Sequence, residues 1–387
     1  MATEKFLSEF PPVSPEEWEA AILEDLKGAD AASLLWKAED GLELRPFYRA
    51  EDTRDLAFAG VAPGEFPYAR GARRTGEWRI REEIDAADPE EANRQAREAI
   101  ASGAEEIAFR GASIQSTSDL AVLVAQLDGI PVRFEGAGER ELRVLLERLR
   151  KHPHGAEVST SLDAAADFGF AAELFAANLP RVTPFTIATE RLQDKGAASI
   201  EEVGCALAAG VDFLEEMQKR GIAVDRAAES IGFAFAMGPQ FLVQIAKLRA
   251  FRMVWARAAE SFGVSREAAR ARIYARTLRW NQTPDAPHVN ILRGTMGAMS
   301  AVLGGADSIL VAPFDGCGTG PGDLSRRLAR NTQIILKREA LLGRVADPAG
   351  GSYSIEAITD AIAAGAWKVL QQVEAQGGYR SSRTKVD

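Results

Sequence analysis

Three glycines, Gly103, Gly129 and Gly155, stand 26 residues apart, each followed within two positions by an apolar residue. The segments that hold them, SGAEEIAF, DGIPVRF and HGAEVSTS, read as helix stops followed by short strands. Glycine accepts the left-handed backbone in which many helices end, and one strand plus one helix fits the interval. AGVDFLEE and GGADSILV repeat the pattern later, and Phe185 to Ala188, Ile231 to Ala236 and Ile273 to Thr277 fill the gaps, which makes eight expected strands. Short apolar strands alternating with helices call for a parallel sheet covered by those helices. An α/β fold is therefore expected, a (β/α)8 TIM barrel over residues 76–387 behind an N-terminal extended and helical arm, residues 1–75. A doubly wound open sheet is the alternative, disfavoured because no glycine fingerprint follows the first strand.

The stretch from His288 to Glu356 reads as one complete helix, strand, loop and helix unit. A helix is expected from Val289 to Leu303, stopped by Gly304-Gly305, followed by a strand in SILVAPF that ends at Pro313. A glycine-rich loop (Gly316, Gly318, Gly320, Gly322) then leads to a second helix, begun by Asp323 or Ser325 and closed at Gly343, and DPAGGSY (Asp347 to Tyr353) reads as a fixed turn. The clearest helix is Gln240 to Phe262, where Phe241, Ile245, Leu248, Phe251, Trp255, Ala258 and Phe262 form a core stripe and Lys247, Arg249 and Arg257 point elsewhere.

At 387 residues the chain suits a barrel of roughly 250 residues plus an extension. Its 46 basic and 56 acidic residues give a net charge of -10 with no basic block, which argues against nucleic acid as a partner. No apolar run has signal-peptide or membrane-span length, so a soluble, cytoplasmic protein with no membrane partner is expected. Cys205 and Cys317 are too few for a disulfide framework or a cysteine metal site. In the arm, Ser14-Pro15 precedes an amphipathic helix carrying Trp18, Ile22 and Leu26, and extended, aromatic segments follow. Such a segment cannot build its own core and is expected to wrap over the barrel or a partner chain.

Function in a barrel belongs at the C-terminal ends of the strands. The expected ends carry six carboxylates (Glu135, Asp163, Glu190, Glu215, Glu216, Asp315) against three arginines (Arg110, Arg191, Arg279), a mouth biased against anions. No histidine is among them. His152 and His154 sit in a loop at the opposite face, read as polar loop residues rather than metal ligands, and His288 stands alone. The glycine-rich loop reads as a phosphate site or a connector, and the lack of a nearby lysine favours the connector. Any two of the carboxylates could serve as an acid and a base, or all could form a solvated rim.

VNILRG, RNTQ and DPAGGSY, together with AKLRAFRMVWARAAESFG (Ala246 to Gly263), strongly resemble the barrel domain of the methylmalonyl-CoA mutase family, and weaker similarity extends over nearly the whole chain. Within the family the chain is most similar to the small, non-catalytic chains of heterodimeric bacterial enzymes. The resemblance implies a barrel in which an acyl-CoA skeleton is rearranged by radicals from adenosylcobalamin. It also exposes departures. Ile80-Arg81-Glu82-Glu83 stands where active chains have I-R-Q-Y, so Glu83 replaces the tyrosine over the substrate. Thr189-Glu190-Arg191 stands where they have G-Y-H, so Arg191 replaces the histidine that bonds the substrate. The arginine that holds the substrate carboxylate aligns near Gly169. The D-x-H-x-x-G motif of a cobalamin domain does not occur in these residues.

The resemblance thus implies no intact catalytic set, no cofactor or metal held by this chain, and adenosylcobalamin carried by a partner chain or a C-terminal domain lying outside this sequence. A large catalytic mutase subunit, or a second copy of the chain, is the expected partner, with acyl-CoA bound only through it. Two alternatives stand beside this: an active barrel that borrows a separate cobalamin-binding chain and uses Glu83 and Arg191 on another acyl group, and an unrelated barrel lyase.

Overall fold

The structure is a computed structural model that describes residues 13–38, 41–136, 138–151, 158–161, 168–177, 182–183, 185–317 and 320–383. Eight parallel strands form its centre: β1 Arg79–Asp85, β2 Glu106–Arg110, β3 Val132–Glu135, β4 Val158–Ser161, β5 in two pieces, Val182–Thr183 and Phe185–Ala188, β6 Ile231–Met237, β7 Arg272–Thr277 and β8 Ser308–Leu310. The hydrogen-bonded order runs β4-β3-β2-β1-β8-β7-β6. The first piece of β5 pairs with β4 and the second with β6, so β5 joins the two edges and closes the barrel. The expected (β/α)8 architecture is the one found.

Two strand assignments change. AGVDFLEE lies inside the helix Ser199–Lys219, which is buried on so many sides that its apolar residues read as a strand. The true first strand is RIREEID, passed over because its alternate residues are charged. Arg81 and Glu83 face the barrel interior, while Ile80, Glu82 and Ile84 face the helices.

The apolar core sits between strands and helices. Phe233 and Phe235 of β6 meet Phe251 of the helix Phe241–Ser261 at 4.5 and 4.8 Å between ring centres, and Trp255 of that helix meets Phe233 at 4.8 Å. Gly210 makes room for this packing, since a Cβ there would lie 2.5 Å from the Trp255 ring. The helix is not directed outward through its cations as its pattern implies. Lys247 and Arg249 are buried, and Arg252 with them; Arg257 is exposed.

Each buried cation holds a different part of the chain. Lys247 donates to Glu202 (2.7 Å) and to the carbonyl of Ala236, and Glu202 accepts from the Ala236 amide at 3.0 Å, which fixes the end of β6 to two helices. Arg249 pairs with Asp347 and with Glu356, the latter at 2.6 Å, and Asp347 also accepts from Arg70 at 2.9 Å. The Glu356 carboxylate closes the DPAGGSY turn by accepting from the Gly351 amide at 2.9 Å. Arg252 donates to the carbonyls of Gly304 and Gly305, which cap the helix Val289–Leu303.

That last helix has the expected bounds. The next begins at Asp323, as expected, with Gly322 at its N-cap, and ends at Arg338, short of Gly343, because the chain turns at Leu341 with φ +55°. In the arm, Ser14 and Glu17 form a reciprocal cap for the helix Pro15–Asp25, none of whose residues is buried. The second half of the arm is seated on the barrel: Leu44, Phe58 and Tyr68 are buried, and Arg257 and Arg266 cover the Phe66 ring at 4.8 and 4.6 Å. Among the described residues no helix is long and apolar enough to cross a membrane.

Removing one partner of a buried ion pair strands the other charge. Glu202→Ala is therefore expected to destabilise the chain by about 3–5 kcal/mol, and a double Glu202→Leu, Lys247→Met variant by clearly less. Urea unfolding of both checks this; equal losses would show that the two charges are not coupled.

Candidate functional site

The inward positions of the strands carry a charged lattice. At its floor, Arg133 of β3 lies 3.9 Å from the ring centre of Tyr274 of β7. These strands are opposite in the barrel, so the contact spans its axis. Arg81 of β1 approaches the same ring at 5.8 Å, donates to the Ala275 carbonyl at 3.2 Å and faces Glu106 at 3.9 Å. Gly232 of β6 is what lets the tyrosine lie there, because a Cβ would sit 2.4 Å from its ring.

Above this floor the C-terminal ends of the strands enclose a cavity of about 310 Å³. Glu83 bridges Arg110 (2.8 Å) and Arg279, and Arg110 reaches on to Glu135 at 3.2 Å. Across the cavity Arg276 pairs with Asp194 and faces Glu190 at 3.9 Å. Burial acts to raise the carboxyl of Glu135, but the guanidiniums of Arg81, Arg133 and Arg110 outweigh it and hold this group at about 2. At Glu190 burial outweighs the guanidiniums nearby. Burial pushes it up to about 7, against the pull of Arg276 and with a further push from Glu135.

The cavity gathers Glu135, Glu190, Arg110, Arg191 and Arg279 from the expected strand ends, and adds Arg133 and Arg276, which sequence reasoning missed. Both lie at inward positions of their strands, a signal available from the alternation alone. The expected bias against anions is overturned. Glu215 and Glu216 belong to the helix Ser199–Lys219 and pair with Lys219 and Arg220. The lining holds five arginines (Arg110, Arg133, Arg191, Arg276, Arg279) against three carboxylates (Glu135, Glu190, Asp194). Glu83 lies behind two of those arginines, Arg191 is on the exposed rim, and Gly169 lies in the helix Phe168–Ala176 and does not line the cavity. Asp163, His152 and His154 lie outside the described residues. Asp315 accepts from Gly322 within the glycine-rich loop at 3.2 Å, and His288 stacks on Phe314 at 5.3 Å.

In VNILRG, Asn290 is the residue that orders this end of the barrel. It is buried, accepts from the Thr283 amide and donates to the carbonyls of Thr283 and Phe314 at 3.0 and 2.9 Å, joining the loops that follow β7 and β8. The sequence model of methylmalonyl-CoA mutase matches residues 37–129 and 144–383, which takes in the barrel and this motif. The chain belongs to the methylmalonyl-CoA mutase family. It is 34% identical to the methylmalonyl-CoA mutase small subunit of Porphyromonas gingivalis and 33% identical to that of Streptomyces virginiae, over 97% and 96% of its own length. It is 27% identical to the large subunit of Streptomyces virginiae over 95% of its length. The chain spans 65% of each of those small subunits and 57% of the large one.

Glu190 binds its proton more tightly folded than unfolded, so the folded state holds more protons between about pH 4.5 and 7 and loses stability as pH rises through that window. Glu190→Gln is expected to leave stability at pH 4.5 nearly unchanged and to raise it by about 3 kcal/mol at pH 8. Denaturant melts at the two pH values read this; a pH-independent effect would place the Glu190 carboxyl in an ordinary solvated setting.

Proposed function

We propose that this chain is a non-catalytic, small-subunit-like component of methylmalonyl-CoA mutase, the adenosylcobalamin-dependent enzyme that interconverts methylmalonyl-CoA and succinyl-CoA, and that it stabilises a large catalytic chain. The observation that carries the reading is the Arg133–Tyr274 contact across the barrel axis. An acyl-CoA chain threading the barrel would need that space, and a cation packed on a ring inside a protein is costly to displace. The second support is Glu83, which stands where active chains have a tyrosine and is held by two guanidiniums instead of being free to face a substrate.

The cavity lining does not fit adenosylcobalamin. Its donors are guanidiniums and carboxylates, with no imidazole to offer to cobalt. No step of the reaction is assigned to this chain, and the cofactor is assigned to the partner.

The arm supplies the contact. Trp18, Leu23, Leu34 and Trp36 are exposed by 49%, 56%, 39% and 51%, while the half that follows is seated on the barrel. Four large apolar groups on one short segment are the mark of an interface, and covering each contributes roughly 1.5–3 kcal/mol.

Mixing the purified chain with a large mutase chain tests the reading. The expected result is turnover only when the large chain is present, and a complex that fails to form once residues 1–38 are deleted. Turnover by this chain with a separate cobalamin-binding chain would overturn catalytic silence. Unchanged affinity of the truncated chain would remove the arm from the interface.

A further inference from the structure

We propose that the mouth cavity binds a small free polyanion, a molecule with two or more carboxylate or phosphate groups and no long chain attached. Five guanidiniums line the cavity against three carboxylates. Arg110 and Arg279 each reach Glu83 through a single terminal nitrogen and keep 40% and 36% of their side chains exposed, so both retain donors at the cavity wall. Arginine's planar fork matches the paired oxygens of carboxylate and phosphate. The volume of about 310 Å³ lies at the small end of ligand pockets, roughly 300–1,000 Å³, and the Arg133–Tyr274 floor stops a longer molecule from passing through.

Glu190 adds a switch to this site. Its Oε2 is buried and has no hydrogen-bond partner, although the residue is part of the cavity wall. A protonated Glu190 can donate to an anion's oxygen; an ionised one repels it. The charged groups that act on it are Arg276 from β7, Glu135 from β3, Arg81 from β1 and Arg191 on its own turn, with Arg110, Arg133, Arg279 and Asp194 around the same cavity. Burial, against the pull of Arg276 and Arg191 and with a push from Glu135, sets its midpoint at about 7. Anion affinity is therefore expected to rise as pH falls from 8 to 6, by about tenfold if only the protonated form binds.

The probe is ethane-1,2-disulfonate, whose charge is fixed across that range, titrated calorimetrically into the full chain at pH 6 and pH 8. Binding at pH 6 that weakens about tenfold at pH 8 is the expected result. Glu190→Gln should keep the pH 6 affinity at both pH values, and Arg279→Gln should weaken binding at least tenfold with its circular dichroism unchanged. Pyrophosphate and tricarballylate titrated at pH 7 then distinguish phosphate from carboxylate as the preferred group. No binding of the disulfonate at millimolar concentration overturns the proposal, as does an Arg279→Gln variant that folds and binds like the parent. A pH dependence that persists in Glu190→Gln overturns the switch.

Discussion

The barrel interior holds charges that have to neutralise one another, because a lone guanidinium or carboxylate cannot be buried without a partner. Arg81, Arg133, Glu106 and Glu135 sit at inward positions of three adjacent strands, and Tyr274 reaches them from the opposite side. This lattice decides what the barrel can do. It places the Arg133–Tyr274 contact on the axis, with Gly232 making room for the ring, and a cavity of about 310 Å³ stands at the mouth.

A second set of buried charges does the corresponding work outside the barrel. Lys247, Arg249 and Arg252 leave one helix in different directions and fasten the end of β6, the DPAGGSY turn and the end of the Val289–Leu303 helix. Arg70 joins the Asp347 carboxylate as well, so the seated half of the arm is tied to the same point. The motifs that carry the family resemblance, AKLRAFRMVW, VNILRG and DPAGGSY, contain the residues of this framework: Lys247 and Arg249, Asn290, and Asp347. In this chain those residues hold structure together, and none of them lines the mouth cavity.

How much of this could be read beforehand follows from where the charges lie. Strands whose residues are apolar throughout, such as Ile231–Met237, stand out from composition alone, and so does a helix stopped by paired glycines. RIREEID does not, because a strand whose inward face is ionic looks like a solvated surface. The Ser199–Lys219 helix misleads in the opposite way, since burial on several sides erases the polar stripe that marks a helix. At the mouth, Arg191 is legible as an expected strand end, Glu83 comes from the resemblance, and strand alternation marks Arg133 and Arg276 as inward, but the Tyr274 floor depends on a contact between strands far apart in the chain. No local pattern reports such contacts.

The central claim is that the barrel axis is closed to acyl-CoA. Calorimetric titration of methylmalonyl-CoA into the isolated chain tests it most directly. The account predicts no binding at micromolar concentration for the parent chain, with Tyr274→Ala no worse than the parent and free to gain affinity. Micromolar binding by the parent chain, with the Arg133–Tyr274 contact intact, would contradict it.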